Sequence, residues 1–588
     1  MSLATRTAAA PAAAAFAFAL ATAPLAAQTI DVHVADYRQA WRGAGVALAA
    51  DLSLLDGLGA GVRAEVFRRG AGDLALGYLY DRPAEHPDEA PAYFARRLGY
   101  VRAIRAEAPG AAVVLGLEHF PASLRRDTMI DGRRARRLDT RRAGIYGEVA
   151  AWYHAVLAAY AEAGVPVAMI SLATAPDRDA ERQGVHAYGT DPDARVDVAR
   201  LYHLAVDSLR ARLADPARNP DGLELPLVLA PNASGPVPSA DYLNFMRGRR
   251  NAAWLNVGAV GFQQVGDDGS SPTAIGGLRT IAATRPLLVT QALANRGDKI
   301  STFDALDVGH RAALSLAATF TTAVAAGAES YAYDRIAVAD PDDETGLLAV
   351  GGGAVETPRR YAAFRQLTAT QARGARRVAH DVGAAFGLKV AAFRREGADT
   401  VVVHVANYNS SRTVTLNLSE SAGGPAYPTL LAEHLVTDGT RAADAVALQV
   451  PDSAEAAHAF AVDLPGFSVN TFTFALPPAP DTSSGGGTDT TGAGGGGVDT
   501  TGTTGVDDLH PDAALAVTRV GDRLEVAARG DEPLRDVRLL DLQGRLAARA
   551  GDAAPGTPAS LPLVDLPHGV YVVTAVGDGR RFAQRIVW

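Results

Sequence analysis

The chain has 588 residues, a formal net charge of −9 and no cysteine. This length is enough for roughly two to four domains. The absence of cysteine excludes disulfides, thiolate catalysis and cysteine-bound metals. An acidic chain without a long basic run is not expected to bind nucleic acid.

The N-terminal segment has the pattern of a secretory signal peptide. Arg6 precedes an apolar stretch at residues 8–20, and small residues follow up to Ala27. This order predicts that residues 1–27 are cleaved and that the mature chain is exported. The apolar stretch is short and rich in alanine, which disfavours a membrane anchor. We therefore predict no transmembrane segment in the mature chain.

Short apolar runs alternate with longer helical stretches up to about residue 378. The runs lie at residues 45–50, 62–67, 112–117, 167–173, 226–230, 257–264, 286–291 and 329–334. Apolar strands joined by helices are typical of a parallel sheet covered by helices. Eight such units favour a (β/α)8 TIM barrel over residues 41–378.

The remaining segments change character. Short alternating strands over residues 379–476 predict an appended antiparallel β-sandwich, and residues 28–40 are expected to add an N-terminal strand to it. Residues 477–508 are rich in Gly, Thr and Asp and read as a linker. Residues 509–588 predict a small C-terminal all-β domain. The predicted fold class is α/β, a TIM barrel with these β additions.

Functional residues of such a barrel lie where the strands end at their carboxyl side. After strand four come Thr174, Ala175 and Asp177, and strand seven ends at Gln291. The other predicted strand ends carry Glu118 and Phe120, Phe262 and Gln263, and Tyr331, Tyr333 and Asp334. No metal-ligand spacing stands out, and we expect neither a metal nor another cofactor.

Several segments resemble family 30 glycoside hydrolases of clan A. They are WRGAGVALAA, LGLEHFPASLRR, GIYGEVAAWYHAVLAAYAEAGVPVAMISLATAPD and RYAAFRQLTATQARGARRV, spread along residues 28–476. The resemblance implies a barrel with a β-sandwich that hydrolyses β-linked glycans with retention. In that family, a glutamate after strand four is the acid/base, and a glutamate after strand seven is the nucleophile.

Both positions of this chain lack the carboxyl group. The acid/base position maps to Ala175, with Thr174 where the family has Asn, and the nucleophile position maps to Gln291. Retention needs two carboxyl groups roughly 5 Å apart. Alanine has no proton to donate, and a carboxamide is a poor nucleophile. The resemblance therefore implies a secreted, catalytically degenerate hydrolase-like protein that binds or acts on glycans at the cell surface.

Two alternatives remain open. The first is an active hydrolase whose carboxylates have moved to Glu118, Asp177 or Asp334, since an inverting pair tolerates a gap of roughly 6.5–9.5 Å. The second is a surface structural or adhesion module. The candidate sugar-binding residues are Thr174, Gln291, Phe120, Phe262, Gln263, Tyr331 and Tyr333. Packing within the barrel is the alternative role for the aromatic members.

The C-terminal domain resembles a second known family. The segments LRDVRLLDLQGRLAARAG and LPHGVYVVTAVGDGRRFAQRIVW are similar to the type A C-terminal sorting domain of the type IX secretion system. The resemblance implies that the secretion machinery is a partner and that the chain is secreted or held at the outer-membrane surface. A small β-sandwich with its own ligand is the alternative.

Overall fold

The computed structural model divides the chain into two compact units, Met1–Thr482 and Ser483–Trp588. The residues that the structure describes are 28–49, 51–117, 120–130, 133–177, 194–264, 271–293, 306–370, 373–383, 387–395, 400–446, 457–475, 515–520, 523–528, 533–541, 546–554, 557–562, 570–577 and 580–587.

The first unit contains a closed barrel of eight parallel strands. In chain order, its first strands are β1 (Gln28–Ala40), β2 (Gly43–Leu48), β3 (Tyr78–Asp81), β4 (Ala112–Gly116), β5 (Arg125–Ile130), β6 (Arg133–Leu138), β7 (Val167–Ser171), β8 (Leu227–Ala233), β9 (Ala259–Gln264), β10 (Leu287–Ala292) and β11 (Ser330–Tyr333). The barrel closes in the order β10-β11-β2-β3-β4-β7-β8-β9, while β5 and β6 form a separate hairpin.

Helices separate the barrel strands. They are Ser53–Asp56, Ala60–Phe67, Pro91–Glu107, Ile145–Glu162, Ala194–Arg200, Val206–Leu213, Pro236–Arg249, Asn251–Asn256, Pro272–Ala282, Val308–Ala325 and Arg359–Ala369, with π-helical turns at Arg68–Gly72 and Leu201–Ala205 and a 3₁₀ turn at Ala122–Leu124. Local sequence sets several of their starts. The Asp307 side chain accepts a hydrogen bond from the His310 N–H at 2.8 Å at the start of the helix Val308–Ala325, and Ser271 caps the helix Pro272–Ala282 in the same way. Such caps satisfy backbone donors that have no partner within a helix.

Side chains, not solvent, fill the barrel. The interior cluster consists of Ala47, Tyr78, Tyr80, Val114, Met169, Leu229, Ala259, Leu288 and Ala332. Small residues make room for the tyrosine rings: a Cβ on Gly45 would lie 2.9 Å from the Ala332 Cβ and 3.1 Å from the Tyr80 ring. The interior is thus a packed core, as in other barrels of this size.

The second barrel strand was predicted in the wrong place. Residues 62–67 form part of the helix Ala60–Phe67, and the strand is β3, about fifteen residues further on. Val62, Val66 and Phe67 follow helical spacing, and only Val66 and Phe67 are buried. The run is therefore one face of a helix. The true strand, YLYD, is short and ends in an aspartate, so its apolar signal is weak.

A nine-stranded sheet adjoins the barrel. Its strands and those of a small three-stranded sheet are β12 (Arg335–Val338), β13 (Gly346–Gly351), β14 (Ala354–Glu356), β15 (Arg376–Val382), β16 (Leu388–Arg394), β17 (Thr400–Asn407), β18 (Arg412–Ser419), β19 (Leu430–Thr437), β20 (Ala442–Ala445), β21 (Ala459–Leu464) and β22 (Ser468–Ala475). The nine-stranded order is β20-β19-β22-β17-β16-β15-β1-β18-β21. Strand β1 is antiparallel to β15 and parallel to β18. The predicted fold class, a TIM barrel with an appended β-sandwich, is confirmed.

The second unit is all β among its described residues. Its strands are β23 (Leu515–Val520), β24 (Arg523–Ala528), β25 (Arg535–Asp541), β26 (Leu546–Arg549), β27 (Ala559–Pro562), β28 (Val570–Gly577) and β29 (Arg580–Val587). They form two sheets, β23-β24-β27 and β26-β25-β28-β29. Apolar residues from both sheets share one core, including Val526, Leu539 and Val573.

The described ranges contain no helix with both the length and the apolar character that a membrane span requires.

Candidate active site

Polar side chains gather at the carboxyl ends of four barrel strands. Thr174 follows β7, Asn232 lies in β8, Gln263 lies in β9, and Thr290 and Gln291 lie in β10. All five are at least nine-tenths buried. Because the strands are parallel neighbours, these residues share one end of the barrel, where functional sites of this fold lie.

Register shifts mark two of these strand ends. The pairing of β8 with β9 shifts between Pro231 and Ala233, and the pairing of β10 with β9 shifts between Val289 and Gln291. The shift in β10 makes Gln291 the register partner of Gln263. Such bulges re-aim side chains and are frequent beside active sites.

Asn232 is hydrogen-bonded to Ala175 and to Thr290, the residue before Gln291. Its carbonyl accepts a hydrogen bond from the Ala175 N–H at 2.8 Å. Its side-chain oxygen accepts one from the Thr290 hydroxyl, one residue before Gln291. Ala175 has φ +44° and Asn232 has φ +57°. Both therefore adopt the left-handed region, which is strained for alanine and better tolerated by asparagine.

Four buried polar atoms at these strand ends have no hydrogen-bond partner among the described residues. They are Thr174 Oγ1, Gln263 Nε2, Gln263 Oε1 and Gln291 Oε1. A buried polar group without a partner costs about 1–3 kcal/mol, so most such groups in native proteins are satisfied. Amide and hydroxyl groups grouped in this way can donate to and accept from a polar ligand without carrying charge.

The acidic candidates near the site are bound to other groups. Asp177 accepts hydrogen bonds from the Ser234 N–H at 2.7 Å and from the Ser234 hydroxyl. Asp334 lies 3.4 Å from Arg82 Nη1, and both side chains are largely buried. Glu118 lies outside the described residues. Asp177 thus binds a neighbouring loop, and Asp334 takes part in an ion pair.

A buried ion pair lies at the same end of the barrel. The sequence did not suggest it. Asp81, the last residue of β3, pairs with Arg97, and both side chains are fully buried. Tyr160 donates a hydrogen bond to Asp81, and Arg97 also donates to the Leu48 carbonyl at 3.1 Å. Burial alone would lower the pKa of Arg97, but the Asp81 carboxylate and two tyrosines raise it above its ordinary value.

The four aromatic candidates all belong to the core. Phe120, Phe262, Tyr331 and Tyr333 are at most 1% exposed. Tyr331 packs edge-on against Phe320, with its hydroxyl 2.8 Å from Thr319, and the Tyr333 hydroxyl donates to the Glu344 carbonyl at 2.5 Å. Rings buried in this way offer no free face for a sugar in this structure, and packing, the alternative role, is the one in which it places them.

In the described part of the chain, no group of three or more His, Asp or Glu side chains is placed to hold a metal ion.

Comparison with known proteins relates this architecture to solved structures. No protein-family model matches the chain, and no curated protein matches its sequence. A family 30 endoxylanase from Clostridium papyrosolvens C71 aligns with a TM-score of 0.57 and 19% identity, over 76% of this chain and 100% of that one. The catalytic domain of a family 30 xylanase from Talaromyces cellulolyticus aligns with a TM-score of 0.56 and 14% identity, over 76% and 100%.

A third solved structure has a different activity. An endo-β-1,6-glucanase aligns with a TM-score of 0.52 and 14% identity, over 76% of this chain and 95% of that one. At such identities the likeness shows the fold alone. The chain therefore has a glycoside-hydrolase-like fold, the barrel and β-sandwich of family 30 structures. The fold does not choose a substrate, because one fold serves many functions.

Proposed function

We propose that this chain is an exported glycan-binding protein built on a family-30-type barrel that has lost its hydrolytic acids. One observation carries the proposal: Ala175 and Gln291 occupy the two strand-end positions where the resemblance requires glutamates. The methyl group of Ala175 cannot protonate a leaving oxygen. The uncharged amide of Gln291 cannot replace a carboxylate nucleophile.

The remaining polar groups favour binding of an uncharged sugar. Gln263 and Gln291 are register partners on neighbouring strands, and both carry buried amide atoms without a partner among the described residues. An amide offers donors and an acceptor to the hydroxyl groups of a sugar. The known activities of the solved structures suggest the first ligands to try, xylo-oligosaccharides and β-1,6-linked gluco-oligosaccharides.

The alternative of relocated acids has less support. Among the described residues, the relocated acid would be Asp177 or Asp334. Asp177 binds Ser234, and Asp334 pairs with Arg82. Freeing either carboxylate would break a hydrogen bond or an ion pair. A buried ion pair that loses one partner leaves an uncompensated charge.

Binding to the full-length protein tests the proposal. Isothermal titration with the two oligosaccharide series should show saturable binding by the wild type. Replacing Gln263 with leucine, which removes the amide at similar size, should weaken binding about tenfold. The matched control is Asn417→Ala, which removes an amide of the sandwich whose described partner is Asp31. Binding of neither series would favour the structural or adhesion alternative, and equal binding by Gln263→Leu would contradict the role of Gln263 in the site.

We also propose that the chain reaches the cell surface through the type IX secretion system. The signal-peptide pattern of residues 1–27 and the sorting-domain resemblance of residues 509–588 support this route. In a bacterium with that system, the full chain should reach the surface or the medium. A chain without residues 509–588 should stay in the periplasm. Equal export of both chains would contradict the proposed role of the C-terminal domain.

A further inference from the structure

A cleft of about 380 Å³ opens where the helix Val308–Ala325 ends near the sandwich. Arg38, Arg279 and Arg377 line it together with Gln39, and no acidic side chain of the described residues does. Ala328 and Glu329 lead from the end of this helix into β11. The cleft therefore lies at the amino end of the barrel strands, away from the candidate glycan site, and it is independent of the proposed function.

Arg377 is the unusual member of this set. Its Nε donates to the Gln39 side-chain oxygen at 3.1 Å and its Nη1 to the Val378 carbonyl at 3.4 Å. The hydrogen bonds described for it reach no carboxylate. Burial and the neighbouring charge of Arg38 lower the pKa of Arg377 to about 10, against a smaller rise from the Asp36 carboxylate. The protein thus holds a partly buried positive charge whose described hydrogen bonds go to neutral groups, which is unfavourable.

The other two arginines are held in place by contacts of their own. Arg279 Nη1 lies 2.9 Å from Glu329, and its aliphatic stem crosses Gly327, where a Cβ would lie 2.9 Å from Arg279 Cγ. Gly327 has φ +115°, a conformation that glycine adopts readily. Arg38 Nη2 lies 2.7 Å from Asp36. Arg38, Arg279 and Arg377 therefore line one space, and contacts with neighbouring residues restrain Arg38 and Arg279 before any ligand enters.

The carbonyl groups at the end of the helix Val308–Ala325 do not explain why three arginines line this cleft. Cations near a helix C-terminus are favourable, because the last carbonyls carry partial negative charge. Here the Val324 carbonyl accepts from Gln39 Nε2 at 2.6 Å, and the arginines direct their described hydrogen bonds elsewhere. The acids Asp36 and Asp381 line a neighbouring cleft that shares Arg38 and Arg377. They do not line this one.

We propose that this cleft binds a tetrahedral oxyanion of the sulfate or phosphate class, held by Arg38, Arg279 and Arg377. Guanidinium groups present parallel donors that match the oxygens of such anions. The volume is within the range of small-molecule sites. A doubly charged anion would give Arg377 a direct counter-ion.

Titration of the full-length protein tests this site. Inorganic sulfate, inorganic phosphate and a sulfated disaccharide are titrated separately against the protein at constant ionic strength, with chloride as the exchanged ion. One saturable site per chain is expected. Arg377→Gln should weaken binding at least about tenfold, because a hydrogen bond to a charged group is lost. Tightest binding by the disaccharide would identify a sugar-borne anion, and tightest binding by an inorganic ion would identify a free one.

Two further variants keep the test decisive. Arg285→Gln is the matched control, because burial also lowers the pKa of Arg285 but that residue contacts Trp254 outside the cleft. It should bind like the wild type. If Arg377→Gln does not fold, Ala326→Glu places a carboxylate in the cleft and should abolish binding with all arginines retained. No saturable binding by the wild type, or unchanged binding by Arg377→Gln and by Ala326→Glu, would overturn the proposal.

Discussion

Single side chains decide what the carboxyl ends of the barrel strands can do. At Ala175 the side chain is a methyl group, and the N–H of this residue binds the Asn232 carbonyl. At Gln291 the side chain is an uncharged amide. In the proposed function these two side chains take the places of two glutamates, and this is why function has to be argued from side chains and not from the fold.

The buried pair of Asp81 and Arg97 should be essential for stability. Replacing Arg97 with methionine would leave the Asp81 carboxylate buried without its partner. Loss of one member of a buried ion pair typically costs about 3–5 kcal/mol, and urea unfolding measures this loss. Arg96→Met is the control, because Arg96 forms an exposed pair with Asp56 at 3.2 Å. It should cost less than about 1 kcal/mol. Equal losses in the two variants would contradict the assigned role.

At the scale of elements, the backbone at the start of β2 lies very close to the backbone just before β3. A Cβ on Gly77 would lie 2.3 Å from the Arg42 carbonyl oxygen and 2.8 Å from Gly43 Cα, and both are backbone atoms. Neither atom can move without shifting a barrel strand. The absence of a side chain at Gly77 is therefore a condition for pairing β2 with β3.

Substitution of this glycine tests the close approach. Gly77→Ala should destabilise the protein by roughly 3 kcal/mol or more, since overpacking against backbone forces a strand to move. Gly61→Ala is the matched control, because Gly61 lies in an exposed helix position with nothing near its missing Cβ. It should stabilise the protein by up to about 1 kcal/mol. The thermal unfolding midpoints of both variants decide, and a neutral Gly77→Ala would show that the strands can separate.

The sequence predicted the positions of the barrel strands better than it predicted which side chains contact each other. Seven of the eight apolar runs match barrel strands because a buried parallel strand is a continuous apolar segment. The short strand at Tyr78 was missed because its signal is weak. The rule that located Gln291 would also have found Asn232, which follows the apolar run of β8. The pairing of Asp81 with Arg97 has no local signal, because tertiary packing alone brings the two together.

The tyrosines of β11 show another limit. Tyr331 and Tyr333 alternate with Ala332, so the sequence places both rings on one face of the strand. It does not say which face points into the barrel. The structure puts Ala332 inside and both rings against helices, since Tyr331 contacts Phe320 and Tyr333 contacts Phe364.

At the scale of the whole first unit, an aromatic cluster joins the barrel to the sandwich. Trp41 packs edge-on against Phe320 of a barrel helix and against Phe393 of β16. His404 of β17 lies against Phe320 and Phe393 and is fully buried. Burial lowers the pKa of His404 to about 3. The junction thus contains a histidine that stays neutral in the folded protein.

This histidine should make the folded state sensitive to acid. The pKa of His404 is about 6.5 when exposed and about 3 when folded, so between these values the unfolded chain binds a proton that the folded chain does not. Stability should therefore fall as pH decreases from 6.5 towards 3, by up to about 1.4 kcal/mol per pH unit from this group. Urea unfolding between pH 4.5 and 6.5 measures the slope.

The matched variants are His404→Gln and His203→Gln. His404→Gln should reduce the slope, because the group that takes up the proton on unfolding is gone. His203→Gln is the control for loss of an imidazole that solvent reaches, because His203 is only half-buried and lies 3.3 Å from Asp207, outside the junction. An unchanged slope in His404→Gln would show that the junction opens and hydrates this ring.

The measurement that tests the central claim most directly is product release by the full-length protein. Purified wild type and the double variant Ala175→Glu/Gln291→Glu are incubated with xylo-oligosaccharides and β-1,6-linked gluco-oligosaccharides, and products are followed by mass spectrometry. We expect no cleavage by the wild type, because Ala175 and Gln291 carry no carboxyl group. Cleavage that stays with the wild-type protein through purification would contradict it and would make Asp177 and Asp334 the next residues to replace.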